Sequence, residues 1–119
     1  MSDHYQLGKR GEQVACDFLE TKGFKILSRN YRFKKAEIDI IAQIDESLVV
    51  VEVKTRSSIF FGNPQDFINK KKIKLLVQAI NKYVYENNID LEIRFDIVAV
   101  VFEKNNFSIE HIKNAFLHF

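Results

Sequence analysis

Three side chains near the middle of the chain have the types and spacing to hold a divalent cation beside a lysine: Asp39, Glu52 and Lys54. Glu52 interrupts an apolar run from Leu48 to Val53 and Lys54 follows that run, a composition typical of an interior strand. Two carboxylates facing each other there would cost several kcal/mol unless something compensates them. Lys54 compensates in part, and a hard cation such as Mg²⁺, which prefers oxygen ligands, would do so better. The residues therefore predict a cation site, with a structural ladder of ion pairs as the alternative.

The hydrophobic pattern predicts how these residues come together. Residues 37–44 alternate between apolar and polar side chains, and a second strand-like segment, 48–55, follows a turn at Asp45-Glu46. An antiparallel hairpin that keeps its apolar residues on one face has a single acceptable register. That register pairs Asp39 with Glu52, Glu37 with Lys54, Ile38 with Val53 and Ile40 with Val51. We therefore expect the four ionisable side chains on one face, and Ile38, Ile40, Ala42 and Ile44 on the other.

The remaining segments predict the elements that must position this hairpin. Apolar residues from Leu7 to Leu19 recur at helical spacing, and Gly23 is a natural stop. Asn63-Pro64 has the composition of a helix start, and that helix is predicted to run to about Glu86. Three more strands are predicted, at 24–33, 93–102 and 107–112. The order αβββαββ indicates one α/β or α+β domain over residues 1–119, with a central mixed sheet flanked by helices.

A further acid in the first helix has a place beside the predicted hairpin. Glu12 shares one helix edge with Gly8 and Ala15, so it borders the packed face and could overhang the sheet. Gly8 and Gly11 lie on neighbouring turns, and each costs roughly 1 kcal/mol relative to Ala inside a helix. Either a phosphate approaches the helix closely at these glycines, or the helix packs tightly on the sheet.

Composition and charge limit the kinds of protein this chain can be. A chain of 119 residues with 46% hydrophobic residues can bury one core, and its single cysteine, Cys16, excludes an internal disulfide. Residues 1–35 carry eight Lys/Arg against four Asp/Glu, whereas residues 36–60 carry two against five. An acidic centre beside basic segments suits a cation site that meets a polyanion, although ordinary surface charge would give the same numbers. With neither a secretory signal nor a membrane-spanning stretch, a cytoplasmic protein is expected.

Several motifs in order carry a resemblance that covers nearly the whole chain. They are Gly8-x-x-Gly11-Glu12-x-x-Ala15, Asn30-Tyr31-Arg32, Glu37-Ile38-Asp39, Val51-Glu52-Val53-Lys54-Thr55-Arg56, Arg94-Phe95-Asp96 and His111-Ile112-x-Asn114-Ala115-Phe116. The acid–acid–lysine set resembles the PD-(D/E)xK site of the restriction-endonuclease-like superfamily. The closer resemblance is to the YraN-like family of small bacterial proteins, which are similar to archaeal Holliday-junction resolvases. Where that family usually has Gly before Glu-Ile-Asp, this chain has Ala36.

The resemblance implies a restriction-endonuclease-like fold and a metal-dependent endonuclease that hydrolyses DNA, including branched or junction DNA in repair or recombination. Mg²⁺ or Mn²⁺ would then be held by Asp39, Glu52 and the Val53 carbonyl, with Glu12 acting directly or through water. Lys54 would orient the attacking water and stabilise the growing negative charge. Glu37 either supports the site or is a structural partner of Lys54, and Arg56 is a further candidate for support.

Basic residues around the predicted hairpin are candidates for phosphate contacts, with a solvated basic face as the alternative for each. They are Arg32, Lys34, Lys35, Arg56, Lys70 and Lys71, with Lys72 and Lys74 further along the same predicted helix.

Asp96 either supports the site from the fourth strand or pairs with Arg94, and pairing with Arg94 is the preferred interpretation. Resolvase-like nucleases are expected to form homodimers to cut two strands. The alternative function is a catalytically weak or inactive nucleic-acid-binding module that works with a partner enzyme.

Overall fold

A computed structural model describes residues 3–57 and 68–116 of the chain. The elements are α1 (Asp3–Thr21), β1 (Lys25–Phe33), β2 (Ala36–Ile44), β3 (Ser47–Arg56), α2 (Lys70–Asn87), β4 (Glu92–Glu103) and β5 (Asn106–Ile112). The order αβββαββ and a mixed sheet confirm the expected fold class, and both are consistent with a restriction-endonuclease-like fold. Within the described ranges, no helix is long and apolar enough to cross a membrane.

The five strands form one sheet in the order β1-β2-β3-β4-β5. The neighbours β3 and β4 run parallel, and the other three pairs are antiparallel. A parallel pair needs a long crossover connection, and α2 lies in the segment that joins β3 to β4. The central position of β3 explains its apolar sequence, because its residues 48–52 are buried between two neighbouring strands and two helices.

The two helices cover opposite faces of the sheet. Along β3, Val49 and Val51 belong to a core with Ala15 and Leu19 of α1, whereas Leu48 and Val50 belong to a core with α2. Since successive side chains of a strand point to opposite faces, one layer of helix lies on each side. Glu52 and Lys54 lie two and four residues after Val50 along the strand, so their side chains point to the same face as Val50, the α2 face.

The strand β2 changes face at Asp39, and here the sequence-based expectation was wrong. Ile38 packs in the α2 core while Ile40 packs in the α1 core, although both were expected on one face. The neighbouring strand explains the change, because Asn30 adopts a left-handed backbone (φ 52°) between the partners Tyr31–Ile38 and Arg29–Ile40. Regular alternation is lost at that point, and Asp39 lies at the irregularity.

The second helix begins later than its sequence signals predicted. Asn69, in extended conformation, accepts a hydrogen bond from the Lys72 amide on its side chain (2.8 Å), and the helix starts at Lys70. The predicted cap, Asn63-Pro64, lies outside the described residues. At the other end the prediction is confirmed, because Asn88 closes the helix in a left-handed conformation (φ 51°).

The motifs Arg94-Phe95-Asp96 and His111-Ile112-x-Asn114 meet at one buried carboxylate. Asp96 is fully buried and accepts two hydrogen bonds from Arg94 (2.9 and 2.8 Å), one from the Asn114 amide (3.1 Å) and a 2.8 Å contact from His111 Nε2. Burial alone would raise the pKa of Asp96, but these partners outweigh burial and hold it below its ordinary value. The preferred pairing of Asp96 with Arg94 is confirmed.

Gly11 lets α1 sit directly on β3 next to the candidate site. A Cβ built at Gly11 would overlap the Thr55 side chain at a distance that no real contact reaches, whereas a Cβ at Gly8 would meet nothing within 4 Å. Tight helix–sheet packing therefore accounts for Gly11 but not for Gly8, which faces open space.

Substituting the two glycines by alanine should change the free energy of unfolding in opposite directions. We expect Gly11→Ala to lower the free energy of unfolding by about 1–3 kcal/mol or more, because the added methyl overpacks Thr55. Gly8→Ala should raise it by roughly 1 kcal/mol, the intrinsic gain of Ala over Gly in a helix. Urea unfolding of both variants and the wild type measures this, and equal effects at the two positions would contradict the close contact at Thr55.

Candidate metal and phosphate site

Asp39 lies where the pairing of β2 with β3 stops. The register observed between these strands runs from Ile44–Ser47 to Ile40–Val51, which confirms the predicted register over that stretch. One residue further along, Asp39 Oδ2 accepts the main-chain N–H of Val53 at 2.8 Å. Burial, reinforced by the negative charge of Glu52, raises the pKa of Asp39 to about 7, against the lowering effect of that amide.

Glu52 is a buried carboxylate with a one-sided set of partners. Its side chain is 5% exposed, and one oxygen, Oε2, contacts both Lys54 Nζ at 3.3 Å and Lys72 Nζ at 2.7 Å. The other oxygen, Oε1, is buried and has no hydrogen-bond partner among the described residues. A buried carboxylate oxygen without a partner is costly, so this atom marks a place where a ligand would stabilise the protein.

The structure brings three of the predicted residues together and separates a fourth. Asp39, Glu52 and Lys54 share one end of the hairpin, and Glu52 is the neighbouring charge with the largest influence on Asp39. The predicted partnership of Glu37 with Lys54 is not found in the described residues, because Lys54 pairs with Glu52. Glu37 lies beside Arg32 of β1 and forms a 3.0 Å ion pair with it.

Glu12 approaches Asp39 from the other face of the sheet. It accepts hydrogen bonds from the side-chain amide of Asn30 (3.0 and 3.2 Å) and lies 3.9 Å from Arg29, while Glu52 points towards α2. Burial and the charge of Glu52 are the main causes of the raised Asp39 pKa, and the charge of Glu12 adds to them. Across residues 3–57 and 68–116, however, no three His, Cys, Asp or Glu side chains are grouped to hold a metal ion. Glu12 is therefore not gathered with Asp39 and Glu52 into one preformed ligand set.

A cleft of about 430 Å³ opens beside Glu12 at the start of α1. It is lined by Tyr5, Gly8, Lys9, Glu12, Asn30, Arg32 and Glu37. The space over Gly8 belongs to this cleft, which gives the second glycine a role distinct from helix packing.

The predicted phosphate-contacting residues occupy three surroundings. Lys34 and Lys35 are exposed at the turn between β1 and β2, and Lys70 and Lys71 are exposed in the first turn of α2. Arg32 is also exposed, although it pairs with Glu37. Arg56 is partly buried, and its guanidinium donates to the Thr55 carbonyl at 2.8 Å. These exposed lysines are placed to meet a polyanion, although Lys34 also makes a cation–π contact with the Phe33 ring, 5.3 Å from its centroid.

Two residues of the site had weak signals in the sequence. Lys72 was one of four lysines at the start of a predicted helix, and only the helical geometry selects it as the partner of Glu52. Asn30 had a role in the resemblance but no assigned chemistry, and the structure makes it the hydrogen-bond partner of Glu12. The left-handed backbone of Asn30 inside a strand marks this residue as unusual, but that conformation is seen in the structure and not in the sequence.

The donor set fits a hard divalent cation at Asp39 and Glu52. Two neighbouring carboxylates, one with a buried oxygen that lacks a partner, provide the oxygen ligands that Mg²⁺ and Mn²⁺ prefer. Burial first, and the charge of Glu52 second, raise the pKa of Asp39, and a cation bound between the two carboxylates would favour its ionised form.

Asp39→Asn should change how stability depends on pH in the presence of a chelator. Because folding raises the Asp39 pKa from 3.8 to about 7, its contribution to stability is fully present below pH 3.8 and is lost as pH rises through 7. Asn keeps an acceptor for the Val53 amide without ionising, so the variant should be more stable than wild type at pH 8. Urea unfolding at pH 5 and pH 8 with EDTA measures this, with Asp90→Asn, at an exposed position, as the control. An Asp39→Asn variant that is less stable than wild type at pH 8 would contradict the raised pKa of Asp39.

The sequence also has close relatives. A model of the uncharacterised protein family UPF0102 matches residues 11–100. A UPF0102 protein of Flavobacterium psychrophilum is 59% identical over 119 residues, with both chains covered completely. Another, from Phocaeicola vulgatus, is 43% identical over 116 residues and covers 98% of this chain and 96% of its own. The resemblance to YraN-like proteins is thereby confirmed at the level of the family, and this chain belongs to the UPF0102 family.

Proposed function

We propose that this protein is a metal-dependent endonuclease that hydrolyses DNA phosphodiesters, with branched or junction DNA as the expected substrate. One observation carries the proposal: the buried Glu52 carboxylate, with one oxygen lacking a partner, lies beside Asp39 and Lys54. A structural ion-pair ladder would satisfy both carboxylate oxygens, whereas a cation site leaves one free for its ligand.

The residues have distinct roles in this proposal. Asp39, Glu52 and the Val53 carbonyl would hold Mg²⁺ or Mn²⁺, which supplies electrophilic activation of the phosphate and of a water nucleophile. Lys54, whose side chain is 17% exposed, is held beside Glu52 and would orient the attacking water and stabilise negative charge on the phosphate oxygens. Glu12, held by Asn30, would act from the opposite face through water.

Substrate binding would use the exposed basic residues on both sides of the site. Lys34 and Lys35 lie at the β1–β2 turn, and Lys70 and Lys71 lie at the start of α2. Contacts of this kind recognise the sugar–phosphate backbone and make affinity fall as salt increases. The proposed location is the cytoplasm, and the homodimer expected of resolvase-like nucleases remains part of the proposal.

A second candidate is a nucleic-acid-binding module without catalytic activity that works with a partner enzyme. One observation favours it: Lys54 and Lys72 already supply two positive charges to the two carboxylates, Asp39 and Glu52. A site neutralised in this way can persist without a metal. The two candidates differ in whether DNA is cut or only bound.

The deciding experiment is a cleavage assay with Mg²⁺ or Mn²⁺ on linear, single-stranded, flapped and four-way-junction DNA. We expect Lys54→Ala and Asp39→Asn each to lose about 100-fold or more in rate, the usual effect of removing one charge-stabilising group. Lys25→Ala, an exposed lysine at the far end of β1, should cleave like wild type.

Equal cleavage by all four proteins would show that a contaminating nuclease is responsible and would sink the mechanism. Binding by wild type, measured by gel shift, without cleavage of any substrate would instead favour the binding module.

A further inference from the structure

Lys72 makes the shortest ion pair at the site, although it belongs to a different element from the acid–acid–lysine set. Its Nζ lies 2.7 Å from Glu52 Oε2, compared with 3.3 Å for Lys54 on the same oxygen. Lys54 is mostly buried, with 17% of its side chain exposed, whereas 40% of the Lys72 side chain is exposed. Lys72 can therefore leave Glu52 for solvent, while Lys54 is confined.

The position of Lys72 in α2 concentrates positive charge next to the carboxylates. The first turn of α2 holds Lys70, Lys71 and Lys72 and has no acidic residue. A helix N-terminus carries partial positive charge and normally attracts acids, so three lysines there repel the helix end and each other. Glu52 is the anion that Lys72 meets in this structure, and Lys72 also lowers the pKa of Asp39.

A lysine ammonium and a divalent cation compete for the same carboxylate, because they repel each other at contact distance. Whichever binds Glu52 disfavours the other. A lysine displaced from Glu52 stays anchored through its main chain, since the Lys72 amide is capped by Asn69 at 2.8 Å. It would keep its charge within reach of a phosphate bound at the two acids.

We propose that Lys72 is an exchangeable counter-ion of the site: it neutralises Glu52 in the metal-free protein, and a bound divalent cation displaces it to contact the substrate phosphate. This inference rests on the proposed function and adds to it a second lysine, delivered from α2. It also explains how the protein keeps a buried, partly unsatisfied carboxylate folded before a cation arrives.

Calorimetric titration of the full chain with MnCl₂ tests the displacement without measuring activity. We expect Lys72→Met, which keeps the length of the side chain but removes its charge, to bind Mn²⁺ about tenfold more tightly than wild type. Lys71→Met is the matched control, because Lys71 is an exposed neighbour in the same turn, and its Mn²⁺ affinity should match wild type. Lys72→Gln serves as a second variant if Lys72→Met unfolds, as judged by circular dichroism.

Cleavage at saturating Mn²⁺ tests the second half of the proposal, and the Lys72 variants should be slower than wild type although they bind Mn²⁺ more tightly. Replacing a purely structural lysine would not raise the Mn²⁺ affinity while lowering the cleavage rate. Equal or weaker Mn²⁺ binding by the Lys72 variants, or no Mn²⁺ binding by any protein, would overturn the exchange. Tighter Mn²⁺ binding with an unchanged cleavage rate would overturn the phosphate contact. If wild type cuts no DNA but the Lys72 variants bind Mn²⁺ more tightly, the exchange is supported and the nuclease proposal fails.

Discussion

At the point where β2 and β3 stop pairing, the carboxylate of Asp39 takes the place of a main-chain carbonyl as a hydrogen-bond acceptor. By accepting the Val53 amide, it lets β3 continue past the last paired residue of β2 without leaving that donor unsatisfied. The same bond places the carboxylate inside the sheet next to Glu52, where its negative charge is poorly tolerated. Sheet geometry and the chemistry of the site thus depend on one side chain.

The surrounding elements can be understood as ways of supporting that charge from two sides. On the α2 face, Lys54 and Lys72 neutralise Glu52, and the Asn69 cap fixes where the first turn of α2 begins. On the α1 face, the close contact of Gly11 with Thr55 sets the distance between the sheet and the helix that carries Glu12. The sheet separates the two groups of charges, and Asp39 is influenced by both.

The sequence predicted the parts of the fold that depend on local pattern. The order of elements along the chain and the β2–β3 register between Ile44–Ser47 and Ile40–Val51 follow from local pattern, and both were confirmed. The predicted strand pairs beyond that point, from Asp39–Glu52 to Glu37–Lys54, are not among the pairs observed in the described residues. The face change at Asp39 could not be foreseen, because it depends on the left-handed Asn30 in a different strand. The start of α2 was misplaced because Asn63-Pro64 has the composition of a helix start, whereas Asn69 is the residue that caps α2 in the structure. Among four similar lysines, only three-dimensional packing could select Lys72 as the partner of Glu52.

The convergence of three segments on Asp96 bears on when the chain can finish folding during its synthesis. Arg94 is close in sequence, but His111 and the Asn114 amide come from the end of β5 and beyond it. Until those residues leave the ribosome, a carboxylate destined for the core lacks two of its partners, and burying it would be unfavourable. Closing the sheet around β4 before residues 111–114 are in place would therefore carry the cost of burying Asp96 without two of its partners.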